Sequence, residues 1–229
     1  MKPDLSVIIV AGGKGLRMGK NLPKQFLLLG RVPVLMHTIK RFYDYDSKVK
    51  IILVLNSDYK DYWKNLCEQY SFSIPHQVVD GGKERFHSVR NGLEYAGTSY
   101  VAVHDAVRPF VTLDMINRGI ETVKRYSTAV PFILPKDSYR MEKGDSNEAV
   151  DRSLLRIIQT PQLFDTQLLK RAYSLEYSPY FTDDASVVEH YGKEIKLYEG
   201  WEYNIKITTP FDLKLADLIL AEYSEKFLF

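Results

Sequence analysis

Short β-branched runs alternate with longer segments of helical period along this chain. That alternation restricts the fold more than any other feature, because parallel strands must be joined by crossovers that pack on the sheet. The strand candidates are Ser6–Val10, Lys50–Leu55, Gln77–Val79, Tyr100–His104 and Ala129–Ile133. Between them lie Val34–Tyr43, Asp58–Tyr70, Glu84–Ala96 and Leu113–Tyr126, with apolar residues three or four apart. The pattern predicts an α/β fold, a three-layer sandwich around a mostly parallel, Rossmann-like sheet.

The rhythm fails at Pro135–Gln159, where charge, a Gly-Asp turn and two short strand-like pieces replace the helical period. Such a stretch is too polar for a core and reads as a projecting β-arm. Beyond it the sequence predicts helices at Asp165–Tyr177 and Asp183–Tyr191, strands at Glu194–Leu197 and Tyr203–Ile207, and a last amphipathic helix from Phe211. Residues 1–229 are thus expected to form a single domain, with 135–159 inserted as the arm.

Composition narrows the partners. At 45% hydrophobic and 26% charged residues the chain is ordinary for a globular protein, and its net charge of +2 gives no global field for nucleic acid or an anionic membrane. Cys67 is the only cysteine, so neither an intrachain disulfide nor a cysteine metal cluster can form. With no signal-peptide pattern and no long apolar run, the expected location is the cytoplasm.

Positive charge is concentrated instead in one place. Residues 10–25 read VAGGKGLRMGKNLPKQ, directly behind a buried-looking strand. Ligands of open parallel sheets bind beyond the carboxyl ends of the strands, where this loop must lie. Gly12, Gly13 and Gly15 let backbone N–H groups approach an anion, and Lys14, Arg17, Lys20 and Lys24 supply charge. A phosphate-rich ligand is expected. It is not held by a P-loop, since the nearest frame begins with Lys14 and ends with Asn21. Nor is the loop a dinucleotide fingerprint, since Met18 stands where the third small residue belongs.

The pattern A-G-G-x-G-x-R-M-G followed by P-K-Q resembles that of the sugar-nucleotide pyrophosphorylase and cytidylyltransferase superfamily. Further stretches follow in order: Val79-Asp80-Gly81-Gly82 with Glu84-Arg85 and Ser88-Val89, Val103-His104-Asp105-Ala106-Val107-Arg108-Pro109, Thr160-Pro161-Gln162, Thr182-Asp183-Asp184-Ala185-Ser186 and Asn204-Ile205-Lys206-Ile207-Thr208. Together they resemble the 2-C-methyl-D-erythritol 4-phosphate cytidylyltransferase family, from Ser6 to about Leu220.

The resemblance implies transfer of CMP from CTP to the sugar-alcohol phosphate, with pyrophosphate leaving. It gives catalytic roles to Arg17, Lys24 and Lys206, and CTP contacts to Ala11, Gly12, Gly13, Gly15, Gly82 and Ser88. Acceptor contacts fall to Asp105, Arg108, Ser138, Arg152, Thr182 and Lys206, with Asp105 also holding Mg²⁺ or another divalent cation. It further implies a homodimer through the arm. Two departures from the family pattern are Lys83, where some members carry an acidic residue, and Ser138, where threonine is common. His104 reads as a hydrogen-bonded core residue. Two other readings remain open at this point: ribitol 5-phosphate cytidylyltransferase, which shares several motifs, and a nucleotide-binding protein without catalysis.

Overall fold

The computed structural model describes residues 4–12 and 22–227. β1 (Leu5–Ala11) is apolar at nearly every position, as a strand covered on both faces must be. A 3-10 turn at Lys24–Phe26 and a small hairpin of β2 (Leu28–Leu29) and β3 (Val32–Pro33) lead into α1 (Val34–Tyr45). Strand and helix then alternate through β4 (Lys50–Leu55), α2 (Lys60–Gln69), β5 (Gln77–Asp80), α3 (Arg85–Leu93), β6 (Tyr100–Asp105), α4 (Leu113–Tyr126) and β7 (Thr128–Ile133). The later chain contributes the hairpin β8 (Tyr139–Lys143) and β9 (Ser146–Val150), then β10 (Ile157–Ile158), β11 (Gln162–Asp165), α5 (Thr166–Ala172), α6 (Asp184–His190), β12 (Leu197–Glu199), α7 (Pro210–Glu222) and α8 (Ser224–Phe227).

The main sheet runs in the order β10-β7-β11-β6-β1-β4-β5, with β12 also on β7. β6, β1, β4 and β5 are mutually parallel, whereas β11 is antiparallel to β6 and to β7. Pleating divides β1 between two cores: Val7 and Ile9 point to the side of α1, α2 and α4, and Ile8 to the side of α3, α5 and α6. Full burial of one such side chain contributes about 1.5–3 kcal/mol. Gly92 lets α3 lie close to the sheet, since a Cβ there would meet Ile8 Cγ2 at 2.8 Å and Val54 Cγ2 at 3.0 Å. No helix among the described residues is long and apolar enough to cross a membrane.

Two expected strands differ. The segment expected at Glu194–Leu197 forms later, as β12. Tyr203–Ile207 is a loop, because its backbone groups pair outside any strand ladder: Arg108 Nη1 donates to Asn204 O at 2.8 Å, and Ile207 N–H to Val107 O at 3.0 Å. The antiparallel β11 was not expected, since its four residues include Gln162 and Asp165. Helix α5 is shorter than Asp165–Tyr177: Asp165 caps its start by accepting Leu168 N–H at 2.8 Å. The arm is an antiparallel hairpin whose residues are almost all exposed.

Candidate active site

The carboxyl ends of β1 and β6 open on a cavity of about 620 Å³, lined among others by Ala11, Gly12, Lys24, Gly82, Lys83, Arg85, Ser88, Asp105 and Lys206. Residues far apart in the chain meet here because parallel strands all end on the same side of the sheet. Gln25 is buried in the 3-10 turn and donates from Nε2 to Ala11 O at 2.9 Å, which ties the segment carrying Lys24 to the end of β1. The Ser88 hydroxyl accepts Gly82 N–H at 3.0 Å and donates to Glu84 O at 3.1 Å, and so orders the loop that enters α3.

Asp105 is the electrostatic centre. Its Oδ2 lies 2.9 Å from Lys206 Nζ and 3.3 Å from Arg108 Nε, and its Oδ1 lies 3.9 Å from Arg85 Nε. Burial opposes its ionisation, but Arg85, Lys206 and Arg108 outweigh burial and hold the carboxyl well below the usual carboxylate range. Behind it, Thr160 Oγ1 accepts Asp105 N–H at 3.1 Å and lies 3.0 Å from His104 Nδ1, while His104 Nε2 lies 3.0 Å from Arg108 O. The neutral tautomer with its proton on Nε2 satisfies all of these contacts at once. Burial pushes that imidazole down to about 4.

The structure therefore brings Ala11, Gly12, Lys24, Gly82, Ser88, Asp105 and Lys206 to one cavity, with Arg108 joined through Asp105. Ser138, Arg152 and Thr182 are exposed and line no part of it, and the Arg152 guanidinium donates to Lys136 O within the arm. Gly13, Gly15 and Arg17 lie outside the described residues. Arg85 and Gln25 carry no expected role in the sequence, although both stand inside the motifs that resemble the family's; a cation three residues past Gly82 is the available signal for Arg85.

A second cavity of about 600 Å³, beside Trp201 and the start of α4, sets Arg41, Arg118 and Lys226 against Asp114, Glu199 and Glu225. That balance gives an anion no net attraction. The first cavity differs in carrying Lys24, Lys83, Arg85 and Lys206 against Glu84 and Asp105, a net positive lining suited to phosphates.

Comparison with known proteins agrees with this geometry. The family profile for IspD, 2-C-methyl-D-erythritol 4-phosphate cytidylyltransferase, matches residues 5–222. The 2-C-methyl-D-erythritol 4-phosphate cytidylyltransferase of Bacteroides thetaiotaomicron is 52% identical over 216 residues, covering 94% of this chain and 99% of that one. The enzyme of the same name from Porphyromonas gingivalis is 47% identical over 223 residues, covering 96% and 100%. Among solved structures, the 2-C-methyl-D-erythritol 4-phosphate cytidylyltransferase of Thermus thermophilus superposes with a TM-score of 0.79 at 31% identity, over 96% of this chain and 100% of that one. A match that spans both halves of the cavity, from the end of β1 to the Lys206 loop, places this chain in the 2-C-methyl-D-erythritol 4-phosphate cytidylyltransferase family.

Proposed function

We propose that this protein transfers CMP from CTP to 2-C-methyl-D-erythritol 4-phosphate and releases pyrophosphate, a step of non-mevalonate isoprenoid biosynthesis. The observation that carries the reading is the cavity at the ends of β1 and β6, where Lys24 and Lys206 face the same space around Asp105. An acceptor phosphate oxygen attacks the α-phosphorus of CTP in line, forming one P–O bond as the bond to pyrophosphate breaks. Two anions must approach each other, so catalysis is chiefly positioning and charge stabilisation by cations already in place. Lys24 and Lys206 supply that charge, together with Arg17. No general base is required, because the acceptor phosphate is already ionised. Gly82 and Ser88, with the end of β1, present fixed groups to the cytosine.

Among the described residues no group of three or more His, Cys, Asp or Glu could hold a metal unaided. A single carboxylate suits Mg²⁺, which keeps several waters and takes further ligands from substrate phosphates. Asp105 would hold it, and the ion would neutralise triphosphate charge when bound.

We read the chain as one nucleotidyltransferase domain and 135–159 as its dimerisation arm, which brings Ser138 and Arg152 to the acceptor site of a second copy. Exposed Met141 and Leu154 on the arm support that reading. The same reading sets the enzyme in the cytoplasm, with its CTP and polyol phosphate. Pyrophosphate release from CTP and Mg²⁺, measured with each acceptor, tests the proposal. Turnover that requires 2-C-methyl-D-erythritol 4-phosphate is expected; equal or faster turnover with ribitol 5-phosphate would reassign the acceptor, and none with either would leave a nucleotide-binding protein.

A further inference from the structure

Arg85 stands between two carboxylates. Its Nη1 and Nη2 lie 2.9 and 2.6 Å from the two oxygens of Asp184, whereas its Nε is 3.9 Å from Asp105 Oδ1, too far for a hydrogen bond. The Asp184 side chain is wholly buried and also accepts the Tyr173 hydroxyl at 2.6 Å. Burial works against the Arg85 charge, but Asp184 foremost, and then Asp105, outweigh it and keep the guanidinium protonated. Asp105, which lines the cavity, in turn has Oδ2 engaged by Lys206 and Arg108, while Oδ1 has only the 3.9 Å approach of Arg85 Nε.

We propose that Asp184 is a positioning residue for the transfer reaction, acting as a clamp that holds the Arg85 fork off Asp105. By holding both arms of the guanidinium fork, Asp184 keeps Arg85 from closing on Asp105 and leaves Asp105 Oδ1 for the reacting groups. A bidentate arginine–carboxylate pair is both strong and directional, so the fork stays where Asp184 directs it. Released, it would find Asp105 as the adjacent carboxylate and occupy the free oxygen. The clamp also joins the start of α3, whose Ser88 orders the Gly82 loop, to the start of α6 just after Thr182. The inference rests on Asp105 acting at the transfer site, as proposed above.

Its mark is a non-additive pair of substitutions. Asp184→Asn frees the fork and should lower kcat about tenfold or more, while the double variant Arg85→Gln/Asp184→Asn, which removes the freed fork, should recover most of that loss. Equilibrium binding of Mn²⁺ to the enzyme–CTP complex, read from the paramagnetic signal of the free ion, should weaken and recover in parallel. A pair serving only to stabilise the fold would shift melting curves but leave kcat and Mn²⁺ binding of the folded protein unchanged. Should Asp184→Asn fail to fold, Arg85→Lys keeps a cation beside both carboxylates but cannot grip Asp184 with two bonds. Its kcat should then fall about fivefold. Wild-type kcat in Arg85→Lys, or a folded double variant no more active than Asp184→Asn, overturns the clamp. Asp105→Asn run alongside separates the two failures. If it keeps wild-type kcat, the site reading itself falls; if it is inactive while Asp184→Asn is normal, only the clamp does.

Discussion

Lys206 Nζ lies 2.9 Å from Asp105 Oδ2, which pins a loop near the carboxyl end of the chain to the end of β6. The loop is held on both sides of that contact, by Asn204 Nδ2 donating to Thr160 O at 2.8 Å and by Ile207 N–H donating to Val107 O at 3.0 Å. An ammonium on a long flexible stem thereby acquires a fixed position before substrate arrives, which is what charge stabilisation in a phosphoryl transfer requires.

Asp105→Asn removes the negative charge at the centre of Arg85, Arg108 and Lys206. The three cations then repel one another, and the candidate metal ligand is weakened. The expected result is a fall in kcat of about a hundredfold and a metal titration displaced to at least about tenfold higher concentration. An unchanged metal titration would argue against ligation by Asp105.

Acid should weaken the fold through His104. The imidazole is held down to about 4 when folded, against an ordinary value of 6.5. Within that window the unfolded chain binds a proton that the folded chain refuses, so stability is complete above the upper value and falls as pH drops toward the lower one. The loss amounts to about 3 kcal/mol. Asp105 adds nothing there, because its depressed carboxyl makes its contribution fade only below the ordinary aspartate range. Denaturant midpoints at several pH values should show a shallower acid decline for His104→Gln than for the natural chain; parallel declines would contradict this.

Gly82→Ala places a methyl group against the His87 side chain and 2.9 Å from the His87 carbonyl carbon. The loop at the start of α3 must shift, and with it the backbone that Ser88 orders. KM for CTP is expected to rise about tenfold, with a melting temperature within a few degrees of the natural protein. A normal KM would detach this loop from nucleotide binding.

The strands that build the site could be read from sequence because β1, β4 and β6 are continuous apolar runs, buried on both faces. The ends of those runs located Gly12 and Asp105, whereas the contact assigned to Ala11 came from family resemblance. What escaped depends on partners distant in sequence. The Asn204–Ile207 segment has a strand-like composition, yet its hydrogen bonds go to Val107, Arg108 and Thr160, so local propensity misreads it. Arg85 pairs with Asp184 across 99 positions, and no local pattern encodes that contact. Ser138, Arg152 and Thr182 came from family resemblance alone, and in the single chain they stand away from the cavity.

If the arm completes a neighbour's site, mixing two inactive variants should restore activity. Lys24→Ala damages the cavity and spares the arm; Arg152→Ala does the reverse. In a C2 dimer of one subunit of each, one site joins the intact cavity to the intact arm and the other collects both defects. Random exchange makes half the dimers mixed, so activity should return to about a quarter of the natural level. No recovery after demonstrated subunit exchange would mean that each arm serves its own site or only holds the dimer together.

If cations fixed around Asp105 stabilise the charge of the transfer step, kcat of Lys206→Ala must show it. The side chain is 42% exposed, so its removal should leave the melting temperature nearly unchanged. At saturating CTP, acceptor and Mg²⁺, kcat is expected to fall by about a hundredfold or more, because the lost interaction belongs to the transition state. A near-normal kcat with only a raised KM would contradict it, making Lys206 a residue of ground-state binding.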